Sequence, residues 1–129
     1  MAEWSFDTHD GQAARRARRE FAQRVAGRFG DAVDAGVAEL VLGELIGNVV
    51  RYAPGIAHVE ADFDDGGVTI AVRDTGRGFA APESAQEISP LSESGRGLAI
   101  IARLAETVEI DCAATDGCCV RARLDVRPR

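Results

Sequence analysis

The segment AHVEADFDDGGVTIAVRD, Ala57 to Asp74, constrains the fold more than any other part of the chain. Val59, Ala61 and Phe63 alternate with His58, Glu60 and Asp62, and beyond Asp65-Gly66-Gly67 the residues Val68, Ile70 and Val72 alternate back. Period-two alternation on both sides of a Gly-rich turn predicts an antiparallel hairpin with one packed face and one wet face. Its second strand runs into VRDTGRGF, where Asp74 is followed by Gly76 and Gly78. A turn accounts for an Asp and one Gly. A second Gly two positions on points to main chain pressed close to something that side chains would block.

The rest of the chain supplies what packs on that hairpin. Trp4 to Phe6 reads as a short strand, followed by a helix from about Gly11 to Phe29 with Phe21, Val25 and Phe29 at four-residue spacing as its buried stripe. Gly30 and Asp31 break it. A second helix starts near Asp34 and runs to about Tyr52, before Pro54 and Gly55, and Leu42, Leu45, Ile46, Val49, Val50 and Ala53 form its apolar arc. From Gly76 to Gly95 the chain is rich in Gly, Pro, Ser and Ala without a convincing period, and a loop of that length in a compact domain is usually functional or mobile. Gly97 then opens a third helix, with Leu98, Ile101, Leu104 and Val108 at helical spacing, and VEIDCAATDGCCVRARLDV forms a closing hairpin with Cys118, Val120, Ala122, Leu124 and Val126 on one face. Four main strands and three helices make an α+β two-layer sandwich: one mixed, largely antiparallel sheet covered on one face by about three helices. With 129 residues and no repeat or linker, residues 1–129 read as one domain.

Composition removes several classes of function. The formal net charge is −6, which argues against general nucleic-acid binding, since that rests on neutralising phosphates. No run approaches the roughly 20 apolar residues of a membrane span, and MAEWSFDTHDGQ lacks the basic-then-apolar pattern of a leader. A cytoplasmic protein away from membranes is the expectation. All fifteen basic residues are Arg, so the lysine of a P-loop and a lysine nucleophile are both excluded. Arg15, Arg16, Arg18 and Arg19, with Arg24 and Arg28, read as a solvated surface of the first helix; the competing reading is a docking face for an acidic protein. Cys112, Cys118 and Cys119 form no zinc-type spacing with His9 or His58 and read as small buried residues.

Three short patterns carry possible chemistry. In ELIGNVVRYAP, Glu44 and Asn48 are one helical turn apart and Arg51 lies beside them. They suit an exposed polar stripe, and equally a divalent cation that keeps bound water, because Mg²⁺ prefers oxygen ligands. DTGRG is the second pattern. The third is SGRGLAI, in which Gly95, Arg96, Gly97 and Leu98 stand at a helix start; unpaired N–H groups there favour an anion, and a flexible loop end explains the glycines as well.

Taken in order, helix Glu-x-x-x-Asn, strand-end Asp-x-Gly-x-Gly, loose loop and Gly-x-Gly-Leu at a helix resemble the ATP-binding superfamily of gyrase, heat-shock chaperones, histidine kinases and mismatch-repair ATPases. The boxes cover roughly a third of the chain, and their order fits from about residue 40 to 105. Within it the sequence is most similar to the small anti-sigma-factor serine kinases, which share its length, its short N-terminal strand and its first helix. Histidine kinases carry a phosphoacceptor His in a dimerising helical segment, and His9 has no such helix around it.

The resemblance implies a histidine-kinase-like ATPase fold and the cofactors ATP and Mg²⁺. It implies that Asp74 accepts a hydrogen bond from the adenine amino group while Gly76 and Gly78 let the backbone lie along the nucleotide. Asn48 would ligate Mg²⁺, Gly95, Arg96, Gly97 and Leu98 would form the phosphate loop, and residues 79–94 the lid. Glu44 matches the catalytic base, which takes a proton from a partner's serine. The implied partners are a sigma factor and a small antagonist protein, an anti-anti-sigma factor, with a homodimer as the usual assembly. Two departures stand out: Tyr52 occupies a position where many relatives have His, and Cys119 one where they place a Thr near adenine. A module that holds its partner without phosphotransfer is therefore the alternative function.

Overall fold

The structure, a computed structural model, describes residues 1–52, 55–74, 93–113 and 117–126, and of residues 51, 52, 93–98, 111–113, 117 and 118 the backbone alone. The elements are β1 (Ala2–Asp7), α1 (Gly11–Phe29), a 3-10 turn (Gly30–Ala32), α2 (Ala35–Tyr52), β2 (Ile56–Asp64), β3 (Gly67–Asp74), α3 (Glu93–Leu104), β4 (Thr107–Ala113) and β5 (Gly117–Asp125). Their sheet has the order β1-β2-β3-β5-β4. Each pairing is antiparallel, so among the described residues the sheet lacks the parallel component that a mixed sheet would have. The α+β two-layer architecture stands, with the N-terminal strand making a full fifth member of the sheet.

Short-range chemistry fixes the helix ends. Asp10 caps α1 by accepting from the Ala13 N–H at 3.1 Å, and Asp34 caps α2 by accepting from the N–H groups of Gly36 and Val37 at 2.8 and 3.1 Å. Gly30, with φ 58°, closes α1 in a conformation that any other residue would adopt only with strain. The two helices thus begin and end where the sequence places them. β1 is longer than the Trp4–Phe6 segment, because antiparallel pairing with β2 extends from Ala2↔Ala61 to Asp7↔Ile56 and hydrogen-bonds the backbone groups that face β2.

One face of the sheet is covered. Val59, Ala61, Val68, Ile70, Val72, Ala122 and Leu124 meet Phe21 and Val25 of α1, Leu42, Leu45 and Val49 of α2, and Ile101 of α3 in a single core. Phe21 is at its centre, edge-on to Trp4 with ring centroids 6.2 Å apart and 6.3 Å from Phe63, while Phe63 stacks on Phe29. The Trp4 indole N–H donates to Glu20 at 2.9 Å, which ties the edge strand to α1.

Val108 does not continue the third helix but lies in β4, paired with Ala122, since α3 ends at Leu104, and two further sequence expectations fail, each for a physical reason. Val50 is 46% exposed rather than part of the α2 arc; it leads Val49 by about 100° around the helix, which carries it off the packed side. Ala53 lies outside the described residues. The third helix starts at Glu93 and not at Gly97, since a glycine weakens a helix by only about 1 kcal/mol and does not by itself set a boundary. Residues 93 and 94, assigned by resemblance to a lid, are accordingly helical.

The β2–β3 hairpin is held by an ion network on the open face. Arg123 donates to Asp64 at 2.7 and 2.9 Å, to Asp125 at 2.7 Å and to Thr69 at 3.2 Å. The guanidinium holds the Asp64 carboxyl at about 2, below its ordinary 3.8. A depressed carboxylate pKa contributes stability that is complete above the unfolded value and disappears as pH falls through the folded one. Stability should therefore decline between pH 3.8 and about 2, and Asp64→Asn should flatten that part of the profile in urea titrations across this range. At the turn, Gly67 has φ 150° and a Cβ placed there would meet the Leu124 carbonyl oxygen at 2.1 Å, whereas at Gly66 it would first meet the movable Arg123 side chain at 3.0 Å. Gly67→Ala is expected to lose about 1–3 kcal/mol in chemical denaturation from the strained backbone alone, and distinctly more than Gly66→Ala.

Candidate functional site

The carboxylate of Asp74 terminates β3 on the covered face. Its register partner on β2 is Ala57, and the alternation Val68, Ile70, Val72, Asp74 turns it toward the helices, where it is only 1% exposed. An acid in that position is not placed by hydrophobic patterning. It sits at the strand end, where the next residues are the DTGRG glycines Gly76 and Gly78, which lie outside the described residues.

Helix α2 packs against both β3 and α3. At the border of its apolar arc come Glu44, half-buried, and Asn48, 7% exposed and one turn later. Neither the Oδ1 nor the Nδ2 of Asn48 has a hydrogen-bond partner among the described residues. Leaving a buried polar group unsatisfied costs about 1–3 kcal/mol, so a side chain with two such atoms calls for a ligand or water. The Oδ1 is an acceptor of the kind a hard cation takes. No group of three or more His, Cys, Asp or Glu side chains gathers among the described residues. Mg²⁺ held there would draw the rest of its oxygens from phosphate and water, as that ion ordinarily does.

On the other side of α2 stands the helix that carries the glycine motif. Ile101 at full burial and the partly buried Leu104 anchor α3 in the core, and Gly95, Arg96, Gly97 and Leu98 form its opening turns. Gly95 falls within the first four residues, whose N–H groups have no acceptor inside the helix, while Gly97 and Leu98 fall beyond them. The end of α3 with unpartnered N–H groups thus overlaps the first half of the Gly-x-Gly-Leu box, Gly95 and Arg96. The structure brings together on adjacent elements Glu44 and Asn48 of α2, Asp74 of β3 and the backbone of Gly95 to Leu98 on α3.

Other details were not legible in advance. Gly43, next to Glu44, is overlaid by the Arg18 side chain, since a Cβ there would come within 3.1 Å of Nε. Arg18 also approaches Glu39 at 3.9 Å and Arg28 reaches Asp65 at 3.3 Å, so these two members of the basic cluster brace their surroundings, while Arg15, Arg16, Arg19 and Arg24 are exposed. The signal for the first was a glycine inside a strong helix. Cys119 pairs with Arg73 and not with Val72; it is 8% exposed, outside the main core cluster, and on the opposite side of the sheet from Asp74. The thiol therefore does not stand on the Asp74 wall, as its match to an adenine-contacting Thr had implied. The Tyr52 side chain is outside the described residues.

Two open clefts lie elsewhere. One, of about 240 Å³, runs along Ser5, His58 and Arg73 on the open face; the other, of about 570 Å³, is at the 3-10 turn beside Asp31 and Asp34. Neither contains Glu44, Asn48 or Asp74. A pair of unsatisfied buried atoms is a stronger indicator of a ligand than a shallow surface concavity, and we place the site at Asn48.

Sequence comparison gives this placement a family. A model of the histidine kinase-like ATPase domain matches residues 8–124. The chain belongs to that family. Its members bind ATP, typically with Mg²⁺. Solved structures similar in fold include a mycobacterial sensor histidine kinase, MprB (17% identity, 99% of this chain and 100% of that one, TM-score 0.55), and the catalytic domain of histidine kinase ThkA (16%, 100% of both chains, 0.60). Histidine kinase AdeS of Acinetobacter baumannii is a third (18%, 99% of this chain and 69% of that one, 0.52). A comparison with curated proteins returned no match. Among the described residues no helix is long and apolar enough to cross a membrane.

An ATPase-family site with an orphaned amide predicts opposite effects on stability and binding. Asn48→Leu, close in size, should leave the ligand-free protein as stable or more stable by about 1 kcal/mol. It should also abolish the Mg²⁺-dependent part of the thermal shift with ATP, which for a ligand at a hundred times its Kd corresponds to about 2.7 kcal/mol. Differential scanning calorimetry with and without nucleotide reads both effects.

Proposed function

We propose that this ATPase-family domain is a protein-serine kinase of the anti-sigma type, which phosphorylates a small antagonist protein and, in another state, holds a sigma factor. The observation that carries the proposal is the pairing on α2 of a half-buried carboxylate, Glu44, with the buried amide of Asn48 one turn later. A base and a metal ligand on one rigid helix keep a fixed separation, which positioned phosphoryl transfer requires.

In this scheme Asp74 accepts the adenine amino hydrogen bond and the glycines after it lie along the nucleotide. Asn48 holds Mg²⁺, which offsets negative charge on the phosphates. The Glu44 carboxylate takes the proton of the partner's serine hydroxyl; the serine oxygen bonds to the γ-phosphorus, and the bond from that phosphorus to the bridging oxygen breaks to release ADP. Gly95 at the start of α3 offers an N–H to the phosphates. The exposed arginines of α1 supply charge for an acidic antagonist, and a homodimer is the assembly we assign by analogy with the anti-sigma kinases.

Base assistance of this kind is worth about 10²- to 10⁴-fold. Glu44→Ala should bind ATP normally and lose transfer by that factor, measured as label moving from γ-³²P-ATP to an antagonist serine. Unchanged transfer in the variant would exclude Glu44 as the base. Retention of nucleotide by the wild type without any labelled serine would favour a partner-holding module. Calorimetry that finds adenosine nucleotides bound equally well by Asp74→Asn would remove the nucleotide geometry altogether.

A further inference from the structure

The sheet register opposes two of the three cysteines. Cys112 on β4 and Cys118 on β5 are direct cross-strand partners, between the pairs Asp111↔Cys119 and Ala113↔Gly117. Directly opposed residues in an antiparallel pair have Cα atoms about 4.5 or 5.5 Å apart, depending on whether they exchange hydrogen bonds. Both spacings fall within the roughly 4.4–6.8 Å over which disulfides form. We propose that Cys112 and Cys118 are a dithiol site that closes to a disulfide on reaction with a hydroperoxide.

Cys119 does not compete. It is level with Arg73 and Asp111, one step out of register with Cys112, and buried. Among the described residues β4 is the outer strand of the sheet. The folded sheet has already brought the two residues together, and oxidation requires no further loop closure.

The step balances in two stages. One thiolate attacks a peroxide oxygen and breaks the O–O bond, giving a sulfenic acid and one water once the leaving hydroxide takes a proton. The second thiolate then attacks the sulfenic sulfur and expels hydroxide, which is protonated to a second water. Two thiols lose two hydrogens, and hydrogen peroxide becomes two waters. The consequence reaches the nucleotide site. The β3–β5 register runs to Arg73↔Cys119, next in each strand to Asp74 and Cys118, and the bond would fasten β4 to the strand that flanks the end of β3. That consequence rests on the proposed nucleotide geometry; the disulfide itself does not.

The test treats the reduced full chain with hydrogen peroxide, blocks residual thiols with N-ethylmaleimide and digests it without reductant using a protease that cleaves before aspartate. Cleavage at Asp111, Asp116 and Asp125 separates DCAAT from DGCCVRARL. We expect these two peptides to be joined, two hydrogens lighter than their sum, with fragmentation placing the bond at Cys118 and the alkylated thiol at Cys119. Dithiothreitol should release them, and Cys119→Ser should retain the link while Cys112→Ser loses it. A bond that maps to Cys119, one formed only between two chains, or thiols that all remain alkylatable would overturn the proposal. Fragmentation of the wild-type peptides decides the matter even if a serine variant folds poorly.

Discussion

Packing of α2 onto the sheet is the constraint on which the remainder of this molecule depends. Val41, Leu42, Leu45, Ile46 and Val49 are buried with Val59, Val68, Ile70 and Val72, and α2 packs against the sheet, α1 and α3 together. Because a helix has 3.6 residues per turn, an arc that wide leaves a residue at its border that is neither fully inside nor fully outside. Asn48 occupies that border with both amide atoms unsatisfied. An apolar side chain there would serve folding better. Among the described residues this local departure from good packing marks the candidate site more clearly than the two surface clefts do.

Much of this was written in local patterns. Alternation from Ala57 to Asp74 gives the register of the central hairpin, Asp10 and Asp34 mark helix starts by their capping oxygens, and Gly30 marks a helix end by its positive φ. These are short-range effects, so sequence carries them directly. The outer position of β4, the exposure of Val50 and the seat of Arg18 over Gly43 depend instead on what arrives from distant parts of the chain. The start of α3 was misplaced for a related reason, since Gly95 and Gly97 carry a motif but are not strong enough helix breakers to bound it. Of the site, Glu44, Asn48 and Asp74 were visible as residue types at a spacing. Their burial was not, and it is burial that separates a ligand site from an ordinary polar stripe.

The two faces of the sheet divide the work of charge. On the open face, opposite charges satisfy one another: Arg123 is held between Asp64 and Asp125, and Asp64 is ionised well below the usual range as a result. Surface pairs of this sort contribute modestly and are screened by salt, but they pin the register of the β2–β3 and β3–β5 pairings. A slip of one residue would exchange the faces and move Asp74 out of the interior. The open-face network and the covered-face carboxylate are thus linked through register alone, without any contact between them.

The same rigidity argues for placing reactive groups on α2 instead of on loops. Glu44 and Asn48 share one turn of a helix that is anchored on three sides, so their separation is fixed before any substrate arrives. By contrast, the backbone that the proposed scheme turns toward the phosphates belongs to the start of α3, where Gly95 and Arg96 of the motif fall among the first four residues, whose N–H groups have no acceptor inside the helix. Bringing Gly97 or Leu98 to a phosphate would require the first turn of α3 to open. The glycines of the motif, Gly95 and Gly97, lower the energy needed for that opening, because each weakens the helix it occupies by about 1 kcal/mol. In the proposed scheme their place in the motif then has an energetic reason as well as a steric one: Glu44 and Asn48 sit on a packed helix, and the backbone meant for the phosphates sits on a helix start that opens at low cost.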